Sequence, residues 1–166
     1  ILSALLLSSK NEYPHDCFKV IIAFALITMG VLDLFHSFVK PGQTFVWLHS
    51  IATFGGGVLF SFVWLPKRFL CNPLKIPISC LVISCCLALL SILYPENTPI
   101  MLQGNDFTST AEALNLIGGV GFFSGSAWFF RNYYHSANTK HILFANLCLL
   151  VGVEAVIFDC ASVLDT

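Results

Sequence analysis

Charge is what this chain lacks. Only 10% of its 166 residues are Asp, Glu, Lys or Arg, where a soluble domain carries about 25%. A water-facing surface of ordinary extent is therefore excluded. The net charge of −1, with no basic stripe, excludes a nucleic-acid binder. No P-loop, nucleophile elbow, zinc-finger spacing or HExxH occurs, so intrinsic catalysis has no support in the sequence. The seven cysteines (Cys17, Cys71, Cys80, Cys85, Cys86, Cys148 and Cys160) include no CxxC pair, and most lie in or beside apolar runs. They read as small hydrophobes and not as a disulfide framework. Internal repeats and low-complexity stretches are also missing.

What is present is apolar sequence in long blocks. The runs are Val20–Val39 (extending back to Phe18), Phe45–Leu65, Ile76–Tyr94, Ala111–Phe130 and His141–Ala161, within a chain that is 57% hydrophobic. Each has about 20 residues, enough at 1.5 Å per residue to cross a hydrocarbon core of ~30 Å. Lys10, Lys19, Lys67, Arg68, Lys75, Arg131 and Lys140 fall at one set of ends, and only Lys40 falls at the other. Short basic loops remain in the cytoplasm, so the first set is expected inside and the second outside. The expectation is an all-α, polytopic transmembrane bundle with five complete spans, preceded by a truncated N-terminal helix at Ile1–Ser9. Residues 1–166 form a single integral membrane domain, and the chain reads as a fragment of a longer protein. Lys40-Pro41-Gly42 makes a tight outer turn, so the first two complete spans form a hairpin. Pro95–Thr110 is the longest outer loop, and Thr108–Thr110 followed by Glu112 resembles a helix-capping sequence. Gly55-Gly56-Gly57, Gly118-Gly119 and Gly121-x-x-x-Gly125 mark sites of close helix approach, or else a glycine-lined cavity. Trp47, Trp64 and Tyr94 stand at span ends as interface anchors, while His15, His135 and His141 read as solvated.

Ionisable side chains inside a span are costly unless paired or hydrated, which makes them functional candidates. This chain has Asp33, His36, His49, Glu112, Glu154 and Asp159, all expected in the outer half of the membrane. Asp33 and His36 are one helical turn apart on one face. The short turn brings His49 to the depth of His36, and Ser50 and Thr53 extend a polar strip below it. Glu154 and Asp159 lie about 140° apart around their helix, and Glu154, the deeper of the two, is expected to face the bundle. His36, His49 and Asp33 suit several roles: metal ligands, axial haem ligands, a proton-sensitive pair, or a hydrogen-bonded cluster that joins helices. Asp33 could instead orient His36. Glu112 reads as a helix-cap residue.

The stretch Gly30-Val-Leu-Asp33-Leu-Phe-His36-Ser, then Phe45-Val-Trp-Leu-His49-Ser-Ile-Ala-Thr53-Phe-Gly-Gly, ending in Val63-Trp-Leu-Pro66, resembles the membrane-associated sensor (MASE-type) domains of bacterial signalling proteins. The similarity covers about 40 residues, with a weaker match through Gly152–Asp159. The resemblance implies a signal-input module in the bacterial inner membrane, fused to a cytoplasmic histidine kinase or diguanylate cyclase and working as a homodimer. By the resemblance Asp33, His36 and His49 would form its sensing core, with Glu154 a weaker candidate; the polar strip adds Thr53 to the ligand-binding residues, and the imidazoles suit a transition metal or haem as cofactor. The other readings are a haem- or quinone-binding electron-transfer subunit, and a transporter fragment using the carboxylates as a proton relay. A transporter more often shows repeated halves or broken helices at midplane, which this sequence lacks.

Overall fold

The computed structural model describes residues 17–65, 75–104 and 106–157. The expected helix at Ile1–Ser9, the basic residues Lys10, Lys67 and Arg68, and the acid Asp159 lie outside them. Five α-helices occur among the described residues: α1 (Cys17–His36), α2 (Gln43–Ser61), α3 (Lys75–Leu93), α4 (Ser109–Ser136) and α5 (Thr139–Ile157). Their interiors are runs of Leu, Ile, Val, Phe and Ala, and the breaks have local causes. Past α1, the N–H groups of Phe38 and Val39 bond to carbonyls three residues back, tightening the last turn. Pro41 and Gly42 follow, and Gly42 has φ +154°, which side-chain-bearing residues rarely adopt. α2 runs into a single 3-10 turn at Phe62–Trp64. α4 stops at Ala137, whose left-handed backbone (φ 50°) lets its N–H donate to Tyr133 O at 2.8 Å.

Four stretches are long and apolar enough to cross a membrane: Phe18–His36, Gln43–Trp64, Ser109–Ser136 and Thr139–Ile157. The apolar part of α3, Ile78–Leu93, is shorter. The expected five full spans are thus four such helices and one shorter apolar helix.

α1 packs on α2 and α3, α2 on α4, and α4 on α5. One core joins Ile21, Ile22, Ala25, Phe60, Val63, Phe122, Phe129, Ala145 and Cys148, and a second joins Leu32, Leu48, Ile51, Ala52 and Ala88. Two glycine crossings hold the helices together. A Cβ on Gly57 would strike the Gly118 carbonyl, and one on Gly118 would come within 2.7 Å of Thr53 O. A Cβ on Gly152 would come within 2.8 Å of the Phe123 ring, close to Gly119. In lipid no hydrophobic effect drives helices together, so close contact between backbones does much of that work. These glycines serve packing, and Gly55 also borders an apolar groove. The Ser126 hydroxyl, buried between α4 and α5, adds a bond to Ala145 O at 2.8 Å.

The outward faces are apolar as well. Ile78, Val82, Ile83, Leu89 and Leu90 on α3, Ile117 and Val120 on α4, and Leu143, Leu147 and Leu150 on α5 are all exposed, a surface suited to hydrocarbon and not to water.

The Pro95–Thr110 segment is more ordered than its composition suggests. A 3-10 turn at Pro95–Asn97 precedes a two-stranded antiparallel hairpin, β1 (Leu102–Gln103) and β2 (Asp106–Phe107). The hairpin is pinned to the first turn of α2. Gln43 Oε1 accepts from Met101 N (2.6 Å) and Leu102 N (2.9 Å), and its Nε2 donates to Leu102 O (2.7 Å). α4 begins where the Thr108 signal places it, but the expected side-chain cap is not made. The Thr108 hydroxyl donates to Ile100 O instead, at 2.7 Å.

Candidate ligand-binding site

Charge segregates between the two ends of this bundle. Every described acid (Asp33, Glu96, Asp106, Glu112 and Glu154) belongs to the end formed by the C-termini of α1, α3 and α5 and the N-termini of α2 and α4. Lys19, Arg131 and Lys140 belong to the opposite end, and Lys40 alone joins the acids.

The candidate site sits at the acidic end, where α1 turns into α2. Asp33 and His36 occupy the last turn of α1, and His49 the second turn of α2. The imidazoles of His36 and His49 are 5.3 Å apart between ring centroids, at 41°. His49 Nδ1 lies 3.8 Å from Asp33 Oδ1, with the two side chains 40% and 46% exposed. His36 Nδ1 is 2.9 Å from Phe45 O. A carbonyl can only accept, so Nδ1 carries a proton and donates it to Phe45 O. The His36 ring also stacks against Phe45, with centroids 3.7 Å apart. The three polar side chains singled out in sequence thus come together, half-buried and open at the rim.

The other expected members do not join them. Thr53 is buried one turn below His49, at the Gly118 crossing. Glu154 is exposed on α5, contrary to the expectation that it faces the bundle. α5 meets α4 through Gly152 and Ala155, and this turns Glu154 outward. Among the described residues, no three His, Cys, Asp or Glu side chains could together hold a metal ion. At this turn one His36 nitrogen meets the Phe45 carbonyl, and Asp33 approaches His49.

Two departures concern residues read as peripheral. His141 is not simply solvated: its ring lies 5.3 Å from Phe18 and 6.2 Å from Trp128, with Nδ1 3.1 Å from Ser136 Oγ. Trp47 is partly buried, its Nε1 donating to Ser91 Oγ at 2.9 Å, while Trp64 and Tyr94 are exposed as anchors should be. Gln43 was not singled out in sequence at all. The Gly104-Asn105 pair between two short β-prone segments is the signal that announces the hairpin Gln43 holds.

No protein-family model, no curated protein and no solved structure matches this chain. Its chemistry has to be argued from its own residues. Below the histidines, Ser50 Oγ and Asn115 Oδ1 are buried with no hydrogen-bond partner among the described residues. The register set by Gly57, Gly118 and Gly121 puts Ser50 and Asn115 at similar depth on α2 and α4. Polar groups thus continue inward from the rim.

Proposed function

We propose that this chain is the signal-input module of a bacterial signal-transduction protein. It would lie in the inner membrane with its basic ends in the cytoplasm, and α3 would be a fifth crossing. The observation that carries this reading is the junction of Asp33, His36 and His49 at the α1–α2 turn, half-exposed at one end of an apolar helical bundle. The motifs that resemble membrane-associated sensor domains contain these same three residues. Imidazole is the side chain whose charge changes between pH 5 and 8, and it also ligates metals and accepts hydrogen bonds from polar ligands. A proton or small ligand arriving at this rim would alter contacts on two helices at once. It would shift the resting arrangement only if it favoured one helix packing over another. A fused cytoplasmic kinase or cyclase in a homodimer would read that shift.

The test uses the full-length protein in membrane vesicles, with output activity followed as external pH and added divalent metal are varied. A response lost in both His36→Ala and His49→Ala, with expression and thermal stability retained, supports the reading. Output that ignores these variants, or a full-length protein with no cytoplasmic output domain, overturns it.

A further inference from the structure

The apolar groove beside the histidine rim has the form of a binding site for a lipid-phase molecule. It is a cavity of about 440 Å³ bounded by α1, α2 and α3, with Thr28, Leu32, Ile51, Phe54, Leu59 and Ile83 among its walls. It exists because α3 leans on α1 and touches α2 only lightly. The volume lies in the range of ordinary ligand pockets, about 300–1,000 Å³. On α2 its walls run from Trp47 to Leu59, about 18 Å along the helix axis. This shape suits one extended hydrocarbon chain.

A second cavity of about 260 Å³ continues the first toward the acidic end and shares Trp47 and Leu87 with it. Its lining is still mostly apolar but includes Ser91, Tyr94, Asn97 and Thr98. Trp47 stands at the junction, fixed by its bond to Ser91, whose hydroxyl in turn donates to Leu87 O at 2.8 Å. An apolar slot whose outer end carries a few hydroxyl and amide groups matches an amphiphile with its head outward. Charge narrows the choice of head. No residue lining either cavity is charged, and Glu96, Asp106 and Glu112 belong to the same end, with Lys40 the only described lysine or arginine there. A carboxylate or phosphate head would find no counter-charge in the lining.

We propose that this groove binds a single-chain membrane amphiphile with an uncharged, hydrogen-bonding head group. The chain lies between α1, α2 and α3, and the head lies against Ser91, Tyr94 and Asn97. This site is separate from the histidine junction and stands whether or not the protein is a signalling module.

The experiment uses the protein in phosphatidylcholine nanodiscs with Trp64→Phe and Trp128→Phe, so that Trp47 is the reporting fluorophore. Oleyl alcohol brominated across its double bond is titrated as the quencher, and brominated oleate is the charged control. The expected result is saturable quenching of Trp47 by the alcohol, with the oleate at least about tenfold weaker because its carboxylate would be stranded without a counter-charge. Ser84→Phe, which fills the slot, should abolish saturation and leave only a linear response. Trp64 reporting alone, in the Trp47→Phe, Trp128→Phe protein, should respond only linearly, since Trp64 lines neither cavity. Linear quenching of Trp47 indistinguishable from that of Trp64 would overturn the proposal, as would oleate binding as tightly as the alcohol. The alcohol–oleate comparison does not depend on Ser84→Phe folding.

Discussion

Gln43 holds three backbone groups of the hairpin, and one of them belongs to Met101, which has no exposed surface. Removing such a partner strands a buried donor, at a cost of about 1–3 kcal/mol. The Asp33–His49 pair is longer and half in solvent, and pairs of that kind contribute only ~0–1 kcal/mol. Thermal unfolding in detergent should therefore rank the two variants clearly: Gln43→Ala loses about 2 kcal/mol, while Asp33→Asn changes stability by less than about 1 kcal/mol. Gln43→Ala should also open the hairpin to proteolysis, which Asp33→Asn should not. An equal loss in both would contradict this ranking. The contrast also explains what the sequence disclosed. The spacing of Asp33 and His36, with His49 across a short turn, is local information. Gln43 bonds to backbone 58 and 59 residues away, and nothing near it in sequence announces those partners. Glu154 failed for a related reason: which way a helix is rotated depends on its neighbours, here on Gly152 seating α5 against α4.

Among the elements, helix positions were legible from hydropathy and helix ends were not. α4 extends to Ser136, six residues past the apolar run that stops at Phe130. In its polar last turns Asn132 Nδ2 and Ser136 Oγ donate back to Trp128 O and Asn132 O, each at 2.8 Å, beside the continuing backbone ladder. Hydropathy marks the part of a helix that crosses lipid, whereas the hydrogen-bond ladder continues into the interface. The glycines were legible as contact points, but their partners emerged only from the packing. The α2–α4 crossing should be intolerant of any side chain. Gly57→Ala and Gly118→Ala drive a methyl into opposing backbone and should destabilise by about 2–3 kcal/mol or more. At Gly125 a Cβ would make ordinary contact with Phe60 at 3.4–3.5 Å, so Gly125→Ala should be neutral or stabilising by up to about 1 kcal/mol. The monodisperse fraction on size exclusion after heating distinguishes these outcomes, and equal behaviour of Gly57→Ala and Gly125→Ala would refute the assignment.

For the whole molecule, the separation of acids from bases makes the proposed orientation testable. In a variant without native cysteines, Thr98→Cys lies at the acidic end and Asn138→Cys at the basic end. A membrane-impermeant maleimide added outside intact cells should label the first and spare the second until the membrane is permeabilised. The reverse pattern would invert the orientation. The overall architecture was readable because lipid leaves a chain few options: backbone polar groups must be satisfied within helices. The hairpin over the acidic end and the groove under α3 were not, since each depends on how separate segments meet.

The contact between α2 and α4 has a mechanical corollary. Most neighbouring helices are separated by a cushion of side chains that can change rotamer and absorb a small displacement. Where Gly57 meets Gly118 and Gly121 that cushion is missing, so the two rods are keyed together like a spar. Neither rod can slide past the other there without parting the backbones.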